Sequence, residues 1–129
     1  MQALYQWDLS GADIPVIIDQ FEQFQEMDKV DAGYFQELVR NVPKNLDEID
    51  SAIAEHAGRD VEDLDPIERN VLRLCCYELS NCPEIPYKVV INEAIELTKT
   101  YGAEQGHKFV NGVIDKIARE LRPIETRAS

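Results

Sequence analysis

Lys108 and Phe109 stand side by side at the start of a regular helical pattern. The apolar stripe of that pattern is spaced at i, i+3, i+4, i+7 and i+11 and consists of Val110, Val113, Ile114, Ile117 and Leu121. At about 100° per residue, Phe109 lies roughly a quarter turn from the centre of the stripe, half outside the core. An aromatic ring in this position, next to a lysine, can stack on a nucleobase. The alternative is that Phe109 packs on a neighbouring helix, as aromatic residues mostly do.

Motifs that mark common enzyme sites are absent from the sequence. It contains neither of the phosphate-binding glycine patterns, GxxxxGK followed by Ser or Thr and GxGxxG, nor the GxSxG nucleophile turn. Carboxylate pairs are frequent, but a chain with 25 acidic residues supplies such pairs by chance. His56 and His107 lack ligand spacing to a cysteine or a carboxylate, so a zinc site is not expected. A binding protein is therefore favoured over an enzyme, and no cofactor is predicted.

The three cysteines do not form a disulfide pattern. Cys75 and Cys76 are adjacent within a helical pattern, Cys82 follows in a turn, and no CxxC occurs. We expect all three to be buried thiols that act as small apolar groups. No apolar run approaches the roughly 20 residues that span a bilayer, and no secretory signal is visible at the N-terminus. The sequence thus predicts a cytoplasmic protein.

The net charge of −12 is unevenly distributed. Residues 1–65 contain 4 basic and 16 acidic residues, whereas residues 66–129 contain 9 of each. The first half should therefore repel nucleic acid and attract a basic protein. The second half could approach a phosphate backbone only through local clusters of cations, namely Lys88, Lys108, Lys116, Arg119 and Arg122. The alternative is that these charges form a solvated helical surface without a binding role.

Apolar spacing predicts about seven helices and no strands. They cover residues 1–9, 13 to about 27, about 32–43, 46–57, 66 to about 80, 87–101 and 104–121, followed by a polar, frayed tail. On the second helix, Ile14, Ile17, Phe21 and Phe24 repeat at helical spacing. The predicted fold is all-α, a single domain over residues 1–129 with two packed sub-bundles at about 1–58 and 65–122.

The fifth helix has the clearest start in the chain. Asp65 can cap it, Pro66 suits the first helical position, and Glu68 can complete a capping box. Apolar residues cover well over half of its circumference, so we expect it to be surrounded by other helices. Glu78 falls within the apolar arc, and its buried carboxylate is expected to pair with an arginine or lysine of a neighbour.

Four segments of the chain resemble the NusB family of bacterial transcription antitermination factors. They are QALYQWDLS at 2–10, LDPIERNVLRLCCYELS at 64–80, IPYKVVINEAIELTKTYGAE at 85–104 and HKFVNGVIDKIA at 107–118. The resemblance implies an all-helical protein that binds the boxA element of ribosomal RNA leader transcripts together with NusE, a ribosomal protein. It also implies that this complex helps RNA polymerase read through terminators, without a cofactor or catalysis.

Carried over by position, the resemblance implies two sets of site residues. The RNA surface would include Gln2, Lys108 and Phe109, with Phe109 stacking on a base and Lys108 meeting phosphate. The NusE surface would include Tyr5, Glu62 and Glu68. The alternatives are that Tyr5 packs in the core and that Glu68 caps the fifth helix, a role that can coexist with partner binding.

One departure from the family and two alternative functions stay open at this stage. The family has an arginine-rich stretch just before the QALY segment that supplies phosphate contacts, and this sequence starts at Met1 without it. We expect either that the true start lies upstream, which we favour, or that the protein is a shortened form. The alternative functions are a self-association module that forms homodimers through helices one to three, and the NusB-like module of a ribosomal RNA methyltransferase, which would need a further cofactor domain.

Overall fold

A computed structural model describes residues 1–24 and 29–127, and these ranges contain helices and turns but no strand. Eight α-helices and a 3₁₀ turn follow one another along them. Their bounds are α1 Gln2–Ser10, α2 Ile14–Phe24, α3 Lys29–Lys44, α4 Leu46–Ala57, the 3₁₀ turn Val61–Asp63, α5 Pro66–Asn81, α6 Tyr87–Tyr101, α7 Gly106–Leu121 and α8 Pro123–Arg127. The predicted all-α class is confirmed. No described helix is both long and apolar enough to cross a membrane.

Helix ends follow local signals in the sequence. Gly11 and Gly58 end α1 and α4 in the left-handed conformation, with φ of 68° and 73°, where a residue without a Cβ is favoured. At the start of α5, the Asp65 carboxylate accepts a hydrogen bond from the N–H of Ile67 at 3.3 Å, and Pro66 takes the first position. Short-range chemistry therefore defines these boundaries.

Three helix ends differ from the prediction or lie outside the described residues. Helix α3 starts at Lys29, earlier than expected. Pro43 lies in its last turn, where it lacks the N–H that would donate to the carbonyl of Val39, and the helix ends one residue later. The expected end of α2 at Met27 and the side chain of Phe24 lie outside the described residues. The expected frayed tail is wrong for Pro123–Arg127, which forms α8, because the N–H of Thr126 donates to the carbonyl of Arg122 at 3.0 Å.

Helix α5 is the centre of the larger of two apolar cores. Every residue from 70 to 79 is buried, and α1, α3, α4, α6 and α7 pack around them. A smaller core joins α1, α2 and α3 through Ala3, Ile17, Ile18 and Val39. The predicted surrounded position of α5 is confirmed. Leu9 and Val16, at 54% and 49% exposure, leave apolar side chains open on α1 and α2, where homodimer formation stays a prediction.

Helix α7 buries most of its predicted stripe. Val110, Val113, Ile114 and Ile117 are at most 4% exposed, but Leu121 is 39% exposed. The helix ends at Leu121, so that residue lies at the rim of the core rather than within it.

Arg122 is not a surface cation, contrary to its predicted place among the phosphate-facing clusters. Its guanidinium is buried and donates to the carbonyl oxygens of Glu78 at 3.1 Å, Leu79 at 3.2 Å and Cys82 at 2.8 Å. These carbonyls end α5, where helical partners are missing and the helix dipole is negative. Arg122 therefore closes the C-terminus of the central helix.

The cysteine prediction is confirmed. Cys75, Cys76 and Cys82 are free and buried. Burial raises the pKa of the Cys76 thiol to about 12, so it stays protonated and packs as a small apolar group.

Candidate functional site

The ring of Phe109 lies at the edge of the large core, in the first turns of α7. It is half-buried and packs against core residues, while Lys108 beside it is exposed. This is the placement that its offset from the apolar stripe predicts. Since the ring is neither fully buried nor far from cations, a role in stacking remains compatible with its position.

Arg59 is a member of this site that sequence reasoning missed. Its guanidinium carbon lies 4.9 Å from the centroid of the Phe109 ring, within the range of a cation–π interaction. Arg59 follows the glycine that ends α4, and 50 positions separate it from Phe109 in the sequence, so no local pattern could pair them. Arg59 therefore places one cationic group over the ring, and Lys108 is an exposed lysine next to Phe109 in the sequence.

Glu68 lies next to the same site. A Cβ added at Gly106, the first residue of α7, would meet the Glu68 carboxyl carbon at 3.3 Å. Helices α5 and α7 therefore approach each other closely at Gly106, which has no side chain. Burial and repulsion by Asp65 raise the pKa of Glu68, and the charge of Arg59 opposes that rise. Arg59 therefore links Glu68 and Phe109, which the sequence had assigned to separate surfaces.

Arg69 holds together the segments that carry the predicted partner residues. It donates to the Asp8 carboxylate on α1 at 2.6 Å and 2.8 Å, and to the carbonyl oxygens of Val61 and Leu64 at 3.3 Å and 3.4 Å. Helix α1, the 3₁₀ turn and the start of α5 therefore meet at one corner of the molecule. Tyr5, Glu62 and Glu68 lie on these three segments in that order. Sequence reasoning did not identify Arg69 because its partners are distant along the chain.

An acidic groove adjoins this corner. It runs between α4 and the 3₁₀ turn, and its charged lining consists of Asp47, Asp50, Asp60 and Glu62. Glu62 is exposed, Tyr5 is half-buried, and Glu68 is half-buried at the start of α5. Four of the 16 acidic residues of the first half therefore lie next to the predicted partner residues.

Gln2 is exposed in the first turn of α1. Helix α1 packs on α2 and α5, whereas Lys108 and Phe109 lie on α7. The structure gives no contact that brings Gln2 to the Phe109 ring. Its assignment to the RNA surface therefore depends on the family resemblance alone.

Glu78 is buried as predicted, but its predicted partner is wrong. The carboxylate accepts a hydrogen bond from the hydroxyl of Tyr34 on α3, and no arginine or lysine side chain is paired with it in the described part of the chain. The pKa of Glu78 is raised to about 7, first by burial, and the charge of Glu93 adds to the rise. A hydroxyl satisfies one oxygen without neutralising the charge.

A further group joins α4 to the end of α7. Ligand atoms of Glu55, His56 and Glu120 all lie within 4.8 Å of one another, and His56 is paired with the Glu120 carboxylate. Spacing along the sequence could not reveal this group because Glu120 is distant from His56. Both acids are exposed, and exposed acids often cluster without an ion, so we assign no metal site here.

The comparison with known families decides what this helical domain is. The sequence profile of the NusB family matches residues 1–119. The chain belongs to the NusB family. The transcription antitermination protein NusB of Sodalis glossinidius (strain morsitans) is 49% identical over 95% of this chain and 88% of its own length. Relatives that are 42% and 49% identical carry the name transcription antitermination protein, and the prediction that the chain is not an enzyme is confirmed.

Solved NusB structures have the same fold. T. maritima NusB superposes with a TM-score of 0.86 at 35% identity, covering 99% of this chain and 91% of that one. A structure of the antitermination factors NusB and NusE in complex with double-stranded RNA gives a TM-score of 0.84 at 32% identity, covering 92% and 89%. The NusB resemblance of the four sequence segments is thereby confirmed. The individual roles of the site residues stay predictions.

Proposed function

We propose that this NusB-family protein acts in bacterial transcription antitermination in the cytoplasm. It binds the boxA element of ribosomal RNA leaders together with NusE, and the complex helps RNA polymerase read through terminators. The observation that carries the proposal is the half-buried Phe109 ring, with the Arg59 guanidinium 4.9 Å from its centroid and Lys108 exposed beside it. A solved relative bound to NusE and double-stranded RNA supports the choice of partners.

The RNA half of the proposal depends on an aromatic ring surrounded by positive charge. Unpaired bases stack on aromatic side chains, and each such contact contributes about 1–3 kcal/mol. Phe109 offers the ring, and Lys108 reaches into solvent where a phosphate can meet it. Arg59 is positioned either to exchange its place on the ring for a base or to contact the adjacent phosphate.

The protein half depends on charge complementarity. The groove lined by Asp47, Asp60 and Glu62 is negative and open to solvent, and it suits a basic protein surface. Arg69 fixes the segments that carry Tyr5 and Glu68 at the edge of this groove. NusE docks here in the proposal, with Tyr5, Glu62 and Glu68 as contacts.

The two halves adjoin each other through Arg59. It lies over the Phe109 ring, and its charge acts on Glu68. A basic partner that pairs with Glu68 would release Arg59 from that carboxylate and leave it free to face RNA. We therefore expect NusE to tighten RNA binding.

The test is a titration of fluorescein-labelled boxA RNA, followed by anisotropy, with and without NusE. Phe109→Leu keeps the apolar packing of the side chain but removes the ring, so affinity should fall about tenfold or more. Lys108→Ala should weaken binding and flatten its salt dependence by about 0.7 in log–log slope, the value for one lost phosphate contact on a single strand. Lys44→Ala, which removes an exposed lysine in the last turn of α3, is the matched control and should have little effect.

Partner variants separate the second surface. Glu62→Gln should reduce the gain in RNA affinity that NusE gives, while RNA binding without NusE stays close to that of the wild type. Glu68→Gln should reduce the same gain, and because it removes the carboxylate whose charge acts on Arg59, it should also tighten RNA binding without NusE. RNA binding that is insensitive to both Phe109→Leu and Lys108→Ala would remove the site assignment. Absence of RNA binding even with NusE would overturn the function.

A further inference from the structure

Gly112 is a glycine in the middle of α7 that nothing in the described chain requires. The helix spans Gly106–Leu121, and Gly112 is not among the glycines with positive φ. The residue is exposed, and a Cβ added to it would meet nothing within 4 Å. Glycine inside a helix is destabilising relative to alanine because it loses more conformational freedom on folding. Neither backbone conformation nor packing therefore explains this glycine.

Gly106 in the same helix provides the contrast. A Cβ there would lie 3.3 Å from the carboxyl carbon of Glu68 and 3.3 Å from Cγ2 of Thr98, so packing against α5 and α6 explains the absence of a side chain. Gly112 leaves its backbone bare toward solvent instead. A bare stretch of helix suits a ligand that comes closer to the backbone than a side chain would permit.

The residues around Gly112 on the helix surface include those of the proposed RNA site. Lys108 and Phe109, four and three positions earlier, lie on the same face of α7 as Gly112. Lys116, four positions later, continues this face and is exposed. From Phe109 to Lys116 the distance along the helix axis is about 10 Å, and the two side chains point within about 20° of each other around it. One RNA strand can therefore contact both.

Charge along this face favours a negative ligand. Lys108 and Lys116 are exposed, and neither forms an ion pair with another residue in the described part of the chain. Asp115 is paired with Arg119 at 3.1 Å, so its negative charge is offset. The positive stretch ends one turn after Lys116 at Glu120, which lies close to a glutamate of α4. The favoured stretch for a phosphate backbone thus runs from Phe109 to Lys116.

We propose that the RNA strand that stacks a base on Phe109 continues along α7, with its sugar–phosphate backbone lying directly on Gly112 and a phosphate meeting Lys116. The missing side chain lets a ribose come into van der Waals contact with the helix, and this contact keeps the strand within reach of the lysine ammonium. A basic protein is unsuited to this face because two unpaired lysines repel it. The inference rests on the proposed function and adds to it the direction in which the RNA leaves the aromatic ring.

The test compares substitutions at Gly112 with the same substitutions at Gly33. Gly33 is also an exposed helical glycine, on α3, and a Cβ there would likewise meet nothing within 4 Å. Gly112→Ala and Gly33→Ala should each raise the melting temperature by about 2–5 °C, because alanine is the better helix former. Affinity for fluorescein-labelled boxA RNA with NusE present, followed by anisotropy, should fall about fivefold for Gly112→Ala and further for Gly112→Gln, because the added atoms crowd a packed contact. Gly33→Ala and Gly33→Gln should leave it unchanged.

Two further measurements locate the strand. Lys116→Gln should weaken RNA binding and flatten its salt dependence by about 0.7 in log–log slope, as for one lost phosphate contact on a single strand. Lys44→Gln, on α3, should do neither. The amide NMR signal of Gly112 should shift when unlabelled boxA RNA is added, whereas that of Gly33 should stay in place.

The outcomes separate this inference from the function on which it rests. If Gly112→Gln binds RNA as tightly as the wild type while Phe109→Leu binds it more weakly, the inference is overturned and the proposed function stands. If neither variant loses affinity, the proposed RNA site fails and the inference fails with it. A melting temperature lowered by Gly112→Ala would mean that the fold itself needs the glycine. Weaker binding of NusE to Gly112→Gln in the absence of RNA would mean that a protein packs there. Either of these two results would also overturn the inference.

Discussion

Helix α5 carries two groups of buried charges, and they differ in how they are paired. In the group nearer its N-terminus, Arg69 Nη2 lies 2.6 Å from Asp8 Oδ2. One turn later, Arg73 Nε lies 2.9 Å from Asp50 Oδ1, and Arg73 Nη1 lies 3.1 Å from Asp8 Oδ1. Each acid in this group therefore meets at least one guanidinium. Helices α1 and α4 are tied to the central helix by these pairs.

The group nearer the C-terminus is built differently. Glu78 meets the neutral hydroxyl of Tyr34 and the like charge of Glu93. The consequence is visible in the direction of the pKa shifts. Burial alone would raise the pKa of Asp8, but hydrogen bonds from Asn70 and Arg69 outweigh it, and the pKa is lowered. The pKa of Glu78 is raised because no comparable donors offset its burial.

Burial of a charge does not by itself reveal its role. Where the chain supplies the opposite charge, the group joins helices together and contributes to the fold. Where the described residues offer a hydroxyl and a second carboxyl group, as at Glu78, burial raises the pKa of the group to about 7. Removal of a charge should therefore have opposite effects at the two ends of α5.

The largest effect is expected for Arg73→Met. Methionine keeps most of the apolar stem but leaves Asp8 and Asp50 partly buried without this guanidinium. The free energy of unfolding should fall by about 3 kcal/mol or more, the cost of breaking a buried pair by removing one partner. Urea unfolding at pH 7 measures it.

Arg119→Met is the matched control. Arg119 pairs with Asp115 one turn away on α7, at 3.1 Å, but its side chain is 69% exposed. The change in unfolding free energy should stay below about 1 kcal/mol. Similar losses for the two variants would mean that the pairs around Arg73 contribute no more than a surface pair, and the contrast between the two ends of α5 would be lost.

Glu78→Gln should raise the free energy of unfolding at high pH, whereas Arg73→Met lowers it, and the effect of Glu78→Gln should depend on pH. In the unfolded chain a glutamate ionises near pH 4.3, whereas in the folded protein the pKa of Glu78 is about 7. Between these values the folded state holds the extra proton, so stability falls as the pH rises. The wild type should therefore lose about 2 kcal/mol between pH 5 and pH 8, and Glu78→Gln should lose less than half of that.

Urea unfolding of both proteins at pH 5 and pH 8 tests this prediction. All other titratable groups are present in both proteins, and since Glu93 interacts with Glu78, the difference between them reports on this pair of carboxyl groups. Asp8 makes stability depend on pH in the opposite direction. Because its pKa is lowered, its contribution to stability is present above its unfolded pKa and is lost as the pH falls through its folded pKa. A wild-type stability that does not decline from pH 5 to pH 8 more than that of Glu78→Gln would contradict the burial cost assigned to Glu78.

Much of the fold could be predicted because its signals are local. Gly11 and Gly58 end helices, Asp65 and Pro66 start α5, and the spacing of apolar residues along α7 identifies its buried face. Each signal acts within a few residues of the chain. The half-buried position of Phe109 follows from the same periodicity, since a helix fixes how far each side chain lies from the apolar stripe.

The pairing of polar side chains could not be predicted in this way. Tyr34 and Glu78 are 44 positions apart, and Arg69 and Asp8 are 61 apart. Arginine is usually a surface residue, yet the position of Arg122 after α7 brings its guanidinium to the carbonyl groups at the C-terminal end of α5. Partners of this kind depend on how helices pack, and periodicity along one helix carries no information about which neighbour faces it.

Among the variants of buried groups, Tyr34→Phe should change the free energy of unfolding least. It tests directly how Glu78 is paired. It removes the hydrogen-bond donor of Glu78 and leaves the ring in place. Since a hydrogen bond to the charged carboxylate is stronger than one to the neutral acid, the loss should be about 1 kcal/mol at pH 8 and smaller at pH 5. The pKa of Glu78 should rise further above its ordinary value. Tyr101→Phe, at a position 43% exposed, is the control and should change stability by less than about 0.5 kcal/mol at either pH. If Tyr34→Phe costs the same at both pH values, the hydroxyl acts through packing rather than by stabilising the ionised carboxylate.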